Sequence, residues 1–301
     1  MFSVLKKSPY PYPPPKRKAY LAIAIPTSVT LVEETLYLKT LKIGAIARAA
    51  AIHRVNEIVV YNDKPEAASE QKLIVDILEY LRTPPYLRRK LIPLKETLRY
   101  AGILPPLQTP NHPQTAILRE GEVREGLVRK IRRKYMYVDV GAKNLVKVSY
   151  NGKTNVGNKV YVKILKSNHE PLGEIVSEKQ VNHYLCFKIS SCRDLRRLLN
   201  RKWDFKIATS RYGKRVTEVI DLIKENILGN KKVLIAFGGP KEGLYEIASK
   251  HKLSIEEAFD VIVNTIPYQG VEVVRTEEAI HATLELISLL ETCSASLLPT
   301  K

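Results

Sequence analysis

Between Ala19 and Tyr61 the apolar positions come in two registers. The continuous run "YLAIAIP" starting at Tyr20 reads as a buried strand, and so does "EIVVY" starting at Glu57, each too short for a helix core. Between them the Ala/Ile/Arg segment over residues 43–53 predicts a helix. A β–α–β rhythm of this kind implies a parallel sheet covered on both faces. Leu73, Ile74, Ile77, Leu78 and Leu81 then mark the apolar stripe of another helix, ended by Pro84 and Pro85.

A proline-rich joint, "AGILPPLQTPNHPQT", changes the pattern. From Glu122 onward short runs alternate polar with apolar residues, "YMYVDVG", "LVKVSY" and "KVYVKIL", separated by Gly/Asn turns. About five such strands in about 60 residues predict a small antiparallel, OB-like β-barrel. After Val181 the α/β rhythm resumes, with "DFKIATS", "KVLIAFGG" and "FDVIVNTIP" as strands and "GKRVTEVIDLIKENI" and "TEEAIHATLELISLLE" as amphipathic helices. The predicted organisation is a leader over 1–18, an α/β domain over 19–115 and 182–301, and a barrel inserted at 116–181. The leader's Pro/Tyr/Lys mixture suits disorder.

Charge sharpens this picture. The 301 residues carry a formal charge of +18, and the barrel segment 118–180 holds fourteen Lys/Arg against seven Asp/Glu. Its densest patch is Arg129, Lys130, Arg132, Arg133 and Lys134. Such an excess suits a polyanion, whose condensed counterions are released on binding; a solvated, lysine-rich surface of the thermophilic kind is the alternative. Basic and polar residues interrupt every apolar run before it reaches membrane-spanning length, and the N-terminus lacks a signal-peptide core. A cytoplasmic protein is expected. Cys186, Cys192 and Cys293 fit neither CxxC nor zinc spacing, and the six histidines are scattered, so neither a disulfide framework nor a metal site is expected.

Three strands of the C-terminal half end in residues suited to a small molecule: Thr209 and Ser210, the run Phe237, Gly238, Gly239 and Pro240, and Asn264 through Pro267. Ligands of open parallel sheets bind at the carboxyl ends of strands, where loop backbone is left unpaired. Each loop also has a plain reading. Gly238 and Gly239 suit a tight turn, Asn264 an Asx turn, and Thr276 with Glu277 and Glu278 an N-cap with acidic first-turn residues. Neither GxGxxG nor GxxxxGK[ST] is present, nor a GxSxG elbow, which counts against dinucleotide binding, phosphoryl transfer and serine hydrolysis.

"FGGP" followed by "NTIPYQGVEVVRTEEAI" resembles the cofactor signature of the SPOUT methyltransferases, and "GAIARAAAIHRVNEIVV" is similar to that family's first motif. "TPPYLRRKLIPLKETLRYAGILPPLQTPNH" and "VREGLV" are similar to the archaeal and eukaryotic subgroup with an inserted OB-like domain. The resemblance implies a deep C-terminal trefoil knot around S-adenosylmethionine. It also implies an enzyme that methylates RNA, with ribosomal RNA as the expected class.

Carried over by position, it places the cofactor among Thr209, Ser210, Gly238, Gly239, Asn264, Ile266, Gln269, Gly270, Thr276 and Glu278. The backbone amides of Ile266, Gln269 and Gly270 are expected to face the cofactor. Arg48 falls where a family arginine approaches the RNA and the methyl acceptor, though a helix-surface charge fits it as well, and Arg275 is a second candidate. The segment "VNHYLCFKISSC" departs from the aromatic-rich strand of the subgroup. A homodimer is implied, for which Ile280, Leu284, Ile287 and Leu290 form either an interface stripe or a core face. The competing expectation is a non-catalytic RNA-binding or ribosome-assembly protein that keeps the knot as a scaffold.

Overall fold

The computed structural model describes residue 8 and residues 10–150 and 152–292. Cys293 and residues 1–7 and 9 of the expected leader lie outside that range. Contacts divide the chain into two units. One comprises 83–93 and 108–185 with the described part of 1–16, and the other 17–82, 94–107 and the described part of 186–301. The sequence-based boundary at 115/116 therefore differs from the contacts, which group residues 83–93 and 108–115 with the barrel. Prolines and turns there hide the tertiary partners that decide membership.

The larger unit is built on a six-stranded sheet in the order β11-β9-β10-β1-β2-β8, with every pairing parallel. Its strands are β1 (Tyr20–Pro26), β2 (Glu57–Tyr61), β8 (Lys188–Cys192), β9 (Phe205–Arg215), β10 (Lys232–Ala236) and β11 (Val261–Asn264). The continuous apolar runs are explained by burial of both faces. Leu21, Ile23 and Ile25 of β1 enter one core with Ile58, Val60, Val233 and Ile235. Ala22 and Ala24 enter the other with Val59, Tyr61, Leu234 and Ala236.

Four helices cover the first face: α1 (Leu36–Ile52), α2 (Ala68–Arg82), α5 (Val216–Leu228) and α8 (Thr276–Thr292). The second face is covered by α4 (Leu195–Leu199), α6 (Leu244–Lys250) and α7 (Ile255–Ala258). The stripe Ile280, Leu284, Ile287 and Leu290 is buried in the first core. Of its two readings the core face holds, and the stripe offers no interface.

Two element boundaries differ from the sequence reading. Helix α1 begins at Leu36, capped by the Thr35 hydroxyl accepting from the Leu38 amide at 3.2 Å, seven residues before the expected start. It is apolar around most of its circumference, so no periodicity marked its first two turns. Conversely, Gly213, Lys214 and Arg215, read as the start of a helix, belong to β9.

In the smaller unit β3 (Val123–Arg132), β4 (Tyr135–Asp139), β5 (Val146–Ser149), β6 (Lys159–Lys166) and β7 (Leu172–Val176) close a barrel in the order β3-β4-β5-β7-β6. The β5–β7 pairing is parallel and the others antiparallel. Val128, Met136, Val138, Val146, Val148, Val162 and Ile164 fill its core. Helix α3 (Pro85–Leu91) belongs to this unit, where the Tyr86 hydroxyl donates to the Glu125 carbonyl at 2.5 Å.

The described part of the expected disordered leader is paired. Pro15 bridges His183 in a β-bridge, the Tyr184 amide donates to the Pro14 carbonyl at 2.9 Å, and Arg17 donates to the His53 carbonyl. Low-complexity composition concealed these partners because all of them are remote in sequence.

Candidate functional site

The carboxyl ends of β9, β10 and β11 converge on a cavity of about 270 Å³. Its first wall comes from an irregularity in β9. The β9–β11 pairing steps from Ala208↔Ile262 directly to Lys214↔Val263, so residues 209–213 swing out of the ladder. Thr209 anchors the start of this excursion, its hydroxyl donating to the Ala236 carbonyl at 2.9 Å. Gly213 closes it: a Cβ there would lie 2.6 Å from the Val263 carbonyl carbon.

The second wall is the glycine loop after β10. Tyr61, fully buried, donates its hydroxyl to the Phe237 carbonyl at 2.8 Å, and the Gly239 amide donates to the Glu242 carbonyl at 2.8 Å. Added carbons would meet the Gly243 backbone at 2.8 Å from Gly238 and Ser28 Oγ at 2.5 Å from Gly239. At Gly238, where the neighbour is backbone, glycine is required by close approach rather than by positive φ.

The loop after β11 forms the third wall. Asn264 donates from Nδ2 to the Arg211 carbonyl at 3.1 Å, and its Oδ1 accepts from the Ile266 amide at 3.0 Å. The asparagine thus ties this loop to the β9 excursion while making its own Asx turn. Tyr268 sits at φ 58, uncommon for a bulky side chain and found where surrounding structure over-determines the backbone. The Arg215 guanidinium lies 5.4 Å from its ring centre. Gln269 braces the loop by donating to the Val271 and Glu272 carbonyls. Across the cavity Thr276, buried at the start of α8, donates to the Gly238 carbonyl at 3.3 Å.

Of the expected cofactor residues, Thr209, Ser210, Gly238, Gly239, Asn264, Ile266, Gln269 and Thr276 line this cavity. Gly270 and Glu278 do not. Glu278 turns back as a helix cap, accepting from the Arg275 amide at 2.9 Å, which is the plain reading of that sequence. The Ile266 amide, expected to face a ligand, is taken by Asn264.

Arg275 is exposed and outside the lining, and Arg48 is outside it too. Half-buried on α1, Arg48 donates from Nη1 to the carbonyls of Leu107 at 2.8 Å and Pro106 at 3.4 Å. Sequence reasoning missed Arg211, Tyr212, Lys241, Glu242, Glu246 and Glu272, all of which line the cavity. The β9 irregularity brings Arg211 and Tyr212, the closed glycine loop Lys241 and Glu242, the first turn of α6 Glu246 and the loop after β11 Glu272, and none of these placements has a periodic signature. Glu242 is held below the usual carboxylate range, chiefly by the hydrogen bond from Lys250 at 2.6 Å.

Arg129, Lys130, Arg132, Arg133 and Lys134 are all exposed at the end of β3 and in its turn to β4. Cross-strand pairing sets Lys130 opposite Tyr137, Arg132 opposite Tyr135, and Tyr137 opposite Lys147. The Lys130 ammonium lies 4.6 Å from the centre of the Tyr137 ring, and the Lys147 ammonium 4.1 Å from that of Tyr135. One barrel face therefore interleaves cations with two aromatic rings. Among the described residues no group of His, Cys, Asp and Glu could hold a metal ion, and no helix is long and apolar enough to cross a membrane.

Over residues 20–287 the chain matches the family described as "Putative RNA methyltransferase". An uncharacterized protein of Haloarcula marismortui is 30% identical over 282 residues, covering 90% of this chain and 99% of that protein. The human 28S rRNA (uridine-N(3))-methyltransferase is 30% identical over 299 residues, covering 88% of this chain and 76% of that enzyme. For the Drosophila melanogaster enzyme of the same name the identity is 29% over 301 residues, with 86% and 60% covered. The matched span takes in all three walls of the cavity and the whole barrel, and the chain belongs to this family of RNA methyltransferases.

Proposed function

We propose that the cavity at the ends of β9, β10 and β11 holds S-adenosylmethionine and that the protein methylates a base of ribosomal RNA, with N3 of a uridine as the acceptor. The observation that carries this reading is the meeting of three loops around Gly238 and Gly239, where the Gly243 backbone closes on the first glycine and the Ser28 side chain on the second. The lining fits the group. Glycine backbone admits a flat purine, the carboxylates of Glu242, Glu246 and Glu272 suit ribose hydroxyls and an ammonium, and Lys241 suits a carboxylate. When bound, S-adenosylmethionine supplies an electrophilic methyl group on a sulfonium, which needs an unprotonated nucleophile held in line.

The protein's part is positioning and charge. The braced loops fix the donor pocket, and a guanidinium near the uridine carbonyls would stabilise the anion left when N3 gives up its proton to solvent water. We assign that role to Arg48, delivered to the pocket of a second copy in a homodimer, because in its own protomer it does not line the cavity. The barrel holds the RNA: its strand order, with β5 and β7 parallel, supports an OB-like reading, and its cation–tyrosine face suits a backbone with unstacked bases. The sheet order, in which the chain leaves β10 and returns beyond β9 to β11, supports the knotted topology.

Calorimetry with S-adenosylmethionine and methyl-transfer assays on unmodified large-subunit ribosomal RNA test this reading. Micromolar donor binding and a new N3-methyluridine are expected. Absence of donor binding at millimolar concentration would leave only an RNA-binding scaffold.

A further inference from the structure

The β9 excursion carries an aromatic residue that the donor pocket does not need. Tyr212 lines the cavity yet is 64% exposed, while the residues around it are fixed. Its amide donates to Ser210 Oγ at 3.2 Å. The preceding Arg211 carbonyl is held by Asn264, and the following Gly213 is pressed against the Val263 backbone. The Arg211 guanidinium lies 4.9 Å from the ring centre and donates to the phenol oxygen at 2.8 Å. Tyr245 of α6 meets the ring edge-on, with centroids 6.2 Å apart.

An exposed tyrosine on an ordinary strand would be unremarkable. This one stands at a cavity mouth, its backbone pinned from three sides and its orientation set by a guanidinium and a second ring. A pre-oriented aromatic with an adjoining cation is what an extruded base requires, since stacking and cation–π attraction accept any base face. A base undergoing chemistry must leave its stack and gains a partner by stacking on such a ring.

We infer that Tyr212, oriented by Arg211 and Tyr245, is the stacking platform for the RNA base presented to the methyl donor. The inference rests on the reading of the cavity as the donor site. It places acceptor recognition on the excursion of β9, separate from the RNA grip of the barrel.

The test uses the full chain as Tyr212→Leu and Tyr212→Phe, S-adenosylmethionine for calorimetry, and an in vitro transcript of large-subunit ribosomal RNA for kinetics. Tyr212→Leu is expected to lower kcat/KM for the RNA on the order of 10- to 100-fold, the scale of one lost base stack. Its donor Kd should stay within about twofold of the parent, because the ring is not needed to hold the donor. Tyr212→Phe, which keeps the ring but gives up the hydrogen bond from Arg211, should lose clearly less RNA kcat/KM than Tyr212→Leu and leave the donor Kd within about twofold of the parent. Tyr212→Leu with unchanged RNA kinetics and intact donor binding overturns the platform alone. A Tyr212→Phe loss as large as that of Tyr212→Leu also overturns it, by showing that the ring itself contributes nothing. Weakened donor binding in Tyr212→Leu assigns the residue to the donor pocket and overturns the role as well. A parent protein that binds no donor removes the donor-site reading and the platform together.

Discussion

Gly213 and Val263 touch backbone to backbone: a Cβ on the glycine would lie 2.6 Å from the valine carbonyl carbon and 2.7 Å from its nitrogen. This contact lets β9 rejoin β11 after five residues have left the ladder, and it ties the Thr209–Ser210 wall to the Asn264 wall. Gly213→Ala must push the strands apart, which at overpacked sites costs about 1–3 kcal/mol, or roughly 2–5 °C in melting temperature at this size. Donor affinity should fall at least about tenfold, because walls displaced by even a fraction of an ångström no longer match one ligand. Gly270→Ala is the control: nothing stands within 4 Å of its added carbon, so calorimetry and thermal melting should match the parent. A Gly213→Ala protein that binds donor normally would show that the excursion is not a wall of the site.

The barrel face makes a salt-dependent prediction. Lys130, Arg132 and Arg133 are exposed, and each phosphate contact to a single strand contributes about 0.7 to the slope of log K against log salt. The triple variant Lys130→Gln, Arg132→Gln, Arg133→Gln should therefore bind a uridine-rich single-stranded RNA with a slope shallower by about 2. Its melting temperature should be unchanged, since the variant removes only surface charge. An unaltered slope in filter-binding titrations would move the RNA contact elsewhere on the molecule.

How much of this was legible in the sequence follows from which signals are local. Strands β1 and β2 could be read because burial on both faces demands an uninterrupted apolar run, and β4, β5 and β6 because a barrel wall alternates. The helix stripe of α2 was visible for the same reason, whereas α1, with alanines on most sides, has no stripe to detect. The glycine loop and the "NTIPYQG" loop could be named as pocket walls because strand-end loops bind ligands in any parallel sheet. Tyr212 and Glu242 could not. Their presence depends on a register jump and on the Gly239–Glu242 closure, both products of tertiary packing. Glu278 shows the limit of adjacency: beside the cavity in sequence, it stands outside the lining and accepts from the Arg275 amide at the start of its own helix.

His53 gives the fold a pH dependence. It caps the end of α1, buried, with its Nδ1 3.0 Å from Ser288 Oγ; that hydroxyl in turn donates to the Leu284 carbonyl at 2.9 Å and accepts from Arg17 at 3.0 Å. Burial pushes its pKa down from 6.5 to about 4, and Arg17, Arg54 and His281 reinforce the shift while Glu285 opposes it. Between those values the unfolded chain takes up a proton that the folded chain refuses. The contribution of His53 is thus complete above pH 6.5 and is lost progressively as pH falls toward 4. Urea midpoints at pH 7 and pH 5 should drop further for the parent than for His53→Gln. Equal drops would mean that the folded imidazole titrates normally.

Arg48 poses the sharpest test of the assembled enzyme. In its own protomer its guanidinium meets loop carbonyls and does not line the cavity at the ends of β9, β10 and β11, so the proposed catalytic role requires a second copy. Arg48→Ala should then abolish methyl transfer while binding donor normally, and Gly238→Val, whose side chain would run into the Gly243 backbone, should abolish donor binding while keeping Arg48. Mixed in equal amounts after exchange of subunits, half the dimers are hybrids, and each hybrid has one site with an intact pocket facing an intact arginine. Methyl-transfer activity should return to about a quarter of the wild-type rate, as two-fold symmetry dictates. If subunits exchange freely and no activity returns, Arg48 serves its own protomer only, as the anchor of the Pro106–Leu107 turn.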